Sequence, residues 1–237
     1  MEWSDTGIVL TAKKHGETSA IVTLLTKHHG RHAGLVRGGS RKRIQGILQP
    51  GNLVDVRWRA RLIEHLGAFS LDLVTSYGTP LLLSPGPLAA LTSACALSEA
   101  ALPERQPNQP IFDGLNFLLQ SLIEEYWPKI YVKWELGLLS ELGFGLDFSK
   151  CGATGEKFDL KYVSPKSGRA VSESAAEPYK DRLLPLPPFL INSDAAPKAP
   201  EMVQALILTG YFLENHVFSQ RPGGMPNARQ RLTDIFS

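Results

Sequence analysis

The segment Leu53 to Arg61, LVDVRWRAR, limits the possible folds more than any other stretch of this chain. It alternates at every step. Val54, Val56, Trp58 and Ala60 fall on one side; Leu53, Asp55, Arg57, Arg59 and Arg61 fall on the other. Successive side chains of a strand point to opposite faces, so period two is the signature of a strand with one apolar and one cationic face. Such a strand needs neighbours to complete its hydrogen bonds and a core on one side only. The flanking sequence supplies them. Residues 6–14 (TGIVLTAKK), 18–26 (TSAIVTLLT), about 31–36 and 66–74 (LGAFSLDLV) are rich in β-branched and aromatic residues. Turns are expected at His15–Glu17 and at His28–Gly30, and Gly38 and Gly39 open a loop.

Beyond residue 80 the period becomes that of a helix. Leu88, Leu91, Cys95 and Leu102 share one face, and Ile111, Leu115, Leu118, Leu122 and Tyr126 share the next. Pro128 suits the first turn of a helix whose face is Tyr131, Trp134, Leu138 and Leu142. Residues 150–180 break this pattern. SPKSG joins FDLKYV to RAV as a hairpin, held by packing of Phe158, Tyr162 and Val163. A proline-rich linker or wrapping segment (184–200), a helix over 202–217 and a short last one over 227–236 complete the chain. The fold class is therefore α+β and multidomain. A small barrel of the oligonucleotide/oligosaccharide-binding (OB) type covers 1–80. An all-helical domain covers 81–149 and 181–237, and a hairpin insertion covers 150–180.

Charge is unevenly distributed. Residues 1–80 hold 11 Lys and Arg against 6 Asp and Glu, a net of +5; residues 81–150 hold 4 against 8, a net of −4; the remainder is +1. Lys27 to Arg43, KHHGRHAGLVRGGSRKR, contains no acid at all. A cationic run of this kind, followed by the three arginines of the alternating strand, is what a phosphate-backbone binder requires. Arg31, Arg37, Arg41, Lys42, Arg43, Arg57, Arg59 and Arg61 are the candidate contacts. Trp58 lies opposite the arginines and belongs to the core, so stacking groups are few and little sequence preference is expected.

Other chemistries do not assemble. Phosphate-loop, nucleophile-elbow, zinc-protease and dinucleotide motifs are missing from the sequence. The cluster His28, His29 and His32 is the one opening to a metal-dependent enzyme. Cys151 starts C-x-x-T where a zinc ribbon has C-x-x-C, and Arg169–Ala175 offers no cysteine. The hairpin is thus a ribbon outline without ligands, and no metal or cofactor is expected. Cys95 reads as a small core residue. Two cysteines form no disulfide framework, which points to the cytoplasm. The uncharged run Leu73–Ser98 is broken by Pro80, Pro85 and Pro87 and reads as linker plus buried helix, with no membrane span.

Taken in order, these features resemble one family. The segments GLVRGGSRKR, LQPGNLVDVRW and YVSPKSGRAVS, with the opening TGIVL and the LGAF strand, are similar to those of the RecO family of bacterial recombination mediators and DNA repair proteins. The resemblance covers the whole chain. It implies a non-enzymatic protein that binds single- and double-stranded DNA and anneals strands. It also implies help in loading the RecA recombinase onto strands coated with single-strand-binding protein, together with the partner RecR. Family members with four cysteines hold zinc; this sequence keeps Cys151 of that set. The resemblance further implies recruitment by the acidic, apolar-ended tail of single-strand-binding protein. Lys129 and Lys133, four apart on one helix, are the candidates to grip it, over an apolar floor around Leu115, Leu119 and Trp134. A cationic barrel does not announce which polymer it reads, so an RNA-binding or ribosome-associated OB protein is the alternative.

Overall fold

The computed structural model describes residues 1–192 and 197–236. Ser193–Ala196, in the middle of the expected proline-rich linker, lie outside the described residues, as does Ser237.

The first half is a closed five-stranded barrel: β1 (Glu2–His15), β2 (Ser19–Thr26), β3 (Gly30–Val36), β4 (Leu53–Arg59) and β5 (Ala68–Thr75), in the order β1-β2-β3-β5-β4. β1 starts at Glu2, four residues before the expected strand. Its first residues look polar and unstructured in sequence, yet Glu2 to Ile8 pair antiparallel with β4, Glu2 opposite Arg59 and Ile8 opposite Leu53, and close the barrel. A single parallel pairing, Leu35 with Ala68, joins β3 to β5. The alternation in β4 reaches the core as expected: Val54, Val56 and Trp58 are buried, while Arg57 and Arg59 are exposed. They pack with Val9, Ala20, Val22, Leu24, Val36 and Phe69. Each such aliphatic side chain removed from water is worth about 1.5–3 kcal/mol. Trp58 satisfies its one donor, Nε1–H, on the Leu66 carbonyl at 3.0 Å. Gly67 makes this approach possible: it has φ +67°, and a Cβ there would lie 2.2 Å from the Trp58 ring nitrogen.

The basic loop expected between β3 and β4 contains a short helix, α1 (Lys42–Ile47). Ile44 and Ile47 pack on the barrel core, which explains why a Gly-flanked basic run takes helical form. α2 (Pro85–Ala101) and α3 (Gln109–Ser121) follow, and α3 is capped by the Asn108 side chain accepting from the Ile111 N–H at 2.9 Å. Ile111, Leu115, Leu118 and Leu122 are buried as their spacing implies. Tyr126, placed on the same stripe, is exposed because the helix ends at Ser121. Met1–Glu124 with Pro226–Leu232 form one compact unit.

Glu125–Met225 with Thr233–Ser237 form the second unit. It contains α4 (Trp127–Glu141), β6 (Leu160–Val163), β7 (Ala170–Ser172), α5 (Glu173–Ala176), β8 (Leu184–Pro185) and α6 (Ala199–Phe212), which runs on into a π-helical turn (Leu213–Val217). β6 and β7 are the expected hairpin. β8, in the proline-rich segment, adds a third strand against β6. Val163 is buried, but Phe158 is exposed and does not hold the hairpin: it lies ahead of β6, outside the sheet. The last helix is α7 (Asn227–Phe236). Among the described residues no helix is long and apolar enough to cross a membrane.

Candidate nucleic-acid interface

The end of β4 and the residues after it, the start of β5 and α1 surround a groove of about 740 Å³. Arg37, Arg59 and Arg61 line it, with Ile44, Ile47, Phe69 and Leu71 among the apolar groups, and no carboxylate contributes to the lining. Three of the eight candidate cations are thus gathered at one place, from β4 with its following loop and from the end of β3. All three are exposed. Arg59 has one distant counter-charge, Glu2, at 3.9 Å.

The other five candidates go elsewhere. Arg57 donates to the Glu2 carboxylate and stays exposed on the same strand face. An exposed pair of this kind contributes little to stability. Arg41, Lys42 and Arg43 are exposed at the start of α1, next in sequence to Ile44, which lines the groove. Arg31 is committed to structure. Its Nε–H donates to the Leu102 carbonyl at 2.8 Å, its other end lies 3.6 Å from Glu104, and its side chain is only 16% exposed. Of the eight candidates it is the one tied to the segment after α2.

His28 and His29 of the histidine cluster share a partner, Asp5, a residue that sequence reading passed over. His28 Nδ1 and His29 Nδ1 each lie 2.9 Å from one oxygen of the buried Asp5 carboxylate, which also accepts the backbone N–H groups of His28 and Thr6. Burial pushes the Asp5 carboxyl up, but the hydrogen bonds from His29, His28 and Thr6 outweigh it and hold the group below its usual range. His29 stacks on Trp3, with ring centroids 4.0 Å apart. His32 points inward among Trp3, Trp58 and Phe69. Neither of its ring nitrogens has a hydrogen-bond partner among the described residues, and burial, with Arg105 and His29 nearby, lowers its pKa to about 4. Among the described residues no group of three or more His, Cys, Asp or Glu side chains is placed to hold a metal ion.

At the hairpin, Cys151 Sγ accepts from the N–H of Thr154 (3.5 Å) and from the N–H (3.4 Å) and hydroxyl (3.5 Å) of Ser172. Burial raises the thiol's pKa, and these hydrogen bonds outweigh it and bring it down to about 6. Protein donors surround the sulfur, and the Thr154 hydroxyl is turned to Glu156. This donor set does not fit a zinc ion. Cys95 is a core thiol, pushed by burial up to about 12.

In the second unit Lys129 is half-buried and Lys133 is exposed on α4. The apolar floor expected beside them does not exist as a surface. Leu115, Leu119 and Trp134 are all buried core residues, because a strong apolar stripe on a helix is what a core consumes first.

Comparison with known proteins agrees with this architecture. The family described as Recombination protein O N terminal matches residues 1–77, and that described as Recombination protein O C terminal matches residues 85–223. The chain belongs to the RecO family. It is 55% identical to the DNA repair protein RecO of Rhodospirillum centenum, over 100% of this chain and 95% of that protein. The protein of the same name in Rhodospirillum rubrum is 48% identical over 99% of this chain and 96% of its own length. That of Cereibacter sphaeroides strain KD131 is 45% identical over 100% and 99%. Membership of a DNA repair and recombination family follows from the whole length of the chain, barrel and helical part alike.

Proposed function

We propose that this RecO-family chain is a DNA-binding recombination mediator that acts without catalysing a covalent step. Its barrel holds the phosphate backbone in the groove of Arg37, Arg59 and Arg61. The observation that carries the reading is that groove: three exposed arginines gathered on a barrel face without a carboxylate in its lining. Arg57, Arg41, Lys42 and Arg43 extend the positive surface. Five strands closed in the order β1-β2-β3-β5-β4 support an OB-type barrel, a scaffold that presents nucleic-acid sites on its strands and loops.

On this reading the protein works in the cytoplasm at the nucleoid. It binds single- and double-stranded DNA, brings complementary strands together, and assists loading of RecA on strands coated by single-strand-binding protein, with RecR as partner. A surface that neutralises phosphates on two strands lowers their mutual repulsion, which is the physical requirement for annealing. Recruitment by the acidic tail of single-strand-binding protein would use Lys133 and Lys129 as cations, with an apolar contact other than the buried Leu115, Leu119 and Trp134.

The test is a titration of labelled DNA and RNA of matched sequence over a range of salt, with strand annealing followed in parallel. The expected result is DNA binding that weakens steeply with salt, and faster annealing when protein is present. Stronger binding of RNA than of DNA would favour the RNA-binding alternative. A charge-reversed Lys129→Glu/Lys133→Glu variant is expected to lose the tail peptide while keeping DNA.

A further inference from the structure

The segment that follows α2 is joined to the barrel by two arginines reaching in opposite directions. Arg31, on β3, reaches out to the Leu102 carbonyl and to Glu104. Arg105 reaches back. Its backbone N–H donates to the Arg31 carbonyl at 2.8 Å. Its guanidinium donates to three successive carbonyls of the loop between β4 and β5: Ile63, Glu64 at 3.3 Å and His65 at 2.9 Å. The approach is close. Gly30 has φ +67°, and a Cβ there would lie 2.2 Å from the Gln106 carbonyl oxygen. Arg105 itself takes φ +58°, a left-handed conformation that a non-glycine residue keeps only when its surroundings enforce it.

A loop held this way presents its side chains outward. Leu62 is 44% exposed, Ile63 61% and Leu66 39%, although they sit in the most basic part of the chain. Arg61, immediately before them, lines the cationic groove. Aliphatic groups on a pinned loop, next in sequence to a cation of the groove, match a strand whose base faces are uncovered. In a duplex those faces are stacked on each other and out of reach.

We propose that Arg105 is a positioning residue for a single-strand contact: it pins the β4–β5 loop so that Leu62 and Ile63 lie against unpaired bases while Arg37, Arg59 and Arg61 hold the phosphates. The inference rests on the groove reading above and adds the origin of a preference for single strands. Arg105 touches no nucleic acid; its cation is taken up by the loop carbonyls.

The experiment measures the affinity of full-length wild type, Leu62→Ser/Ile63→Ser, Arg105→Gln and Arg105→Lys for a labelled oligo-dT and for a duplex of equal length, over a range of salt. Urea midpoints check that each variant is folded. Removing two aliphatic side chains should weaken single-strand binding by about tenfold. Duplex binding should change by less than about twofold, and the salt slope should not change, because every phosphate-binding cation remains. Arg105→Gln should show the same pattern, with Arg105→Lys in between. Single-strand binding equal to wild type, or equal losses on both polymers, would overturn the inference. A separate Arg59→Ala/Arg61→Ala variant distinguishes the loop assignment from the groove reading. If its salt slope is shallower while the loop variants bind normally, only the loop assignment fails. If wild type binds neither polymer, the groove reading itself fails.

Discussion

Two regions of the barrel hold their charged groups in different ways. Around Asp5, charge is matched: two imidazoles and two backbone N–H groups converge on one carboxylate that is itself 2% exposed, and on β3 Arg31 is taken up by a carbonyl and Glu104. In the groove, Arg37, Arg59 and Arg61 are exposed and almost uncompensated. Enclosed polar groups set stability, since leaving a buried partner unsatisfied is costly. Exposed cations add little to stability and remain free to meet a phosphate. A separation is therefore expected: substitutions in the first region change folding, and substitutions in the second change salt-dependent binding.

The largest effect should come from Asp5→Ala. It removes a carboxylate that is 2% exposed and accepts from four donors, two of them on the exposed His28, and should cost about 2–3 kcal/mol. Urea denaturation checks this, and the salt slope of DNA binding should stay that of wild type. Because the Asp5 pKa is depressed in the folded state, its contribution is present above the unfolded carboxylate pKa and disappears as pH falls through the folded one.

His32 gives the next effect and sharpens the same region. Its folded pKa of about 4 lies below the ordinary histidine value of 6.5. Above that ordinary value both states are neutral and pH has no influence through His32. As pH falls from about 6.5 towards 4, the unfolded chain takes up a proton that the folded chain refuses, and about 3 kcal/mol is lost. His32→Leu should remove that part of the pH dependence. It should also raise stability at pH 7 by about 1 kcal/mol, because two orphaned ring nitrogens disappear. Urea midpoints at neutral and acid pH, compared with wild type, decide both points.

Arg31→Ala should lower stability by about 1–2 kcal/mol through the loss of its bond to Leu102, with no change in salt slope. The reverse is expected for Arg41→Ala/Lys42→Ala/Arg43→Ala. All three are exposed at the start of α1, so the urea midpoint should hold while the slope becomes shallower by about 0.7–0.9 for each phosphate no longer neutralised. A slope change with Arg31, or a stability loss with the triplet, would break the separation.

Much of this was legible in the sequence, for identifiable reasons. Strict alternation in β4 announced both the buried Trp58 and the outward arginines, because period two leaves no other arrangement. The hairpin at SPKSG and the buried stripe of α3 were legible from local signals of the same kind. What sequence concealed depends on distant partners. Arg31 occupies an outward position on β3, and only a segment 71 residues away turns it into a structural residue. Glu2 to Asp5 became strand because β4 needed an edge partner, and Asp5 gained its importance from a turn 23 residues on. The floor of Leu115, Leu119 and Trp134 failed as a docking surface for a related reason: apolar spacing marks a face that is covered, and says nothing of what covers it.

The most direct test of phosphate binding in the groove compares the slope of log affinity for DNA against log salt in wild type and in Arg37→Ala/Arg59→Ala/Arg61→Ala. The expected result is an unchanged urea midpoint and a slope shallower by about 2 to 3 in total, from about 0.7–0.9 for each arginine removed from a phosphate. An unchanged slope in a folded triple variant would contradict it, because the groove would then not touch the backbone.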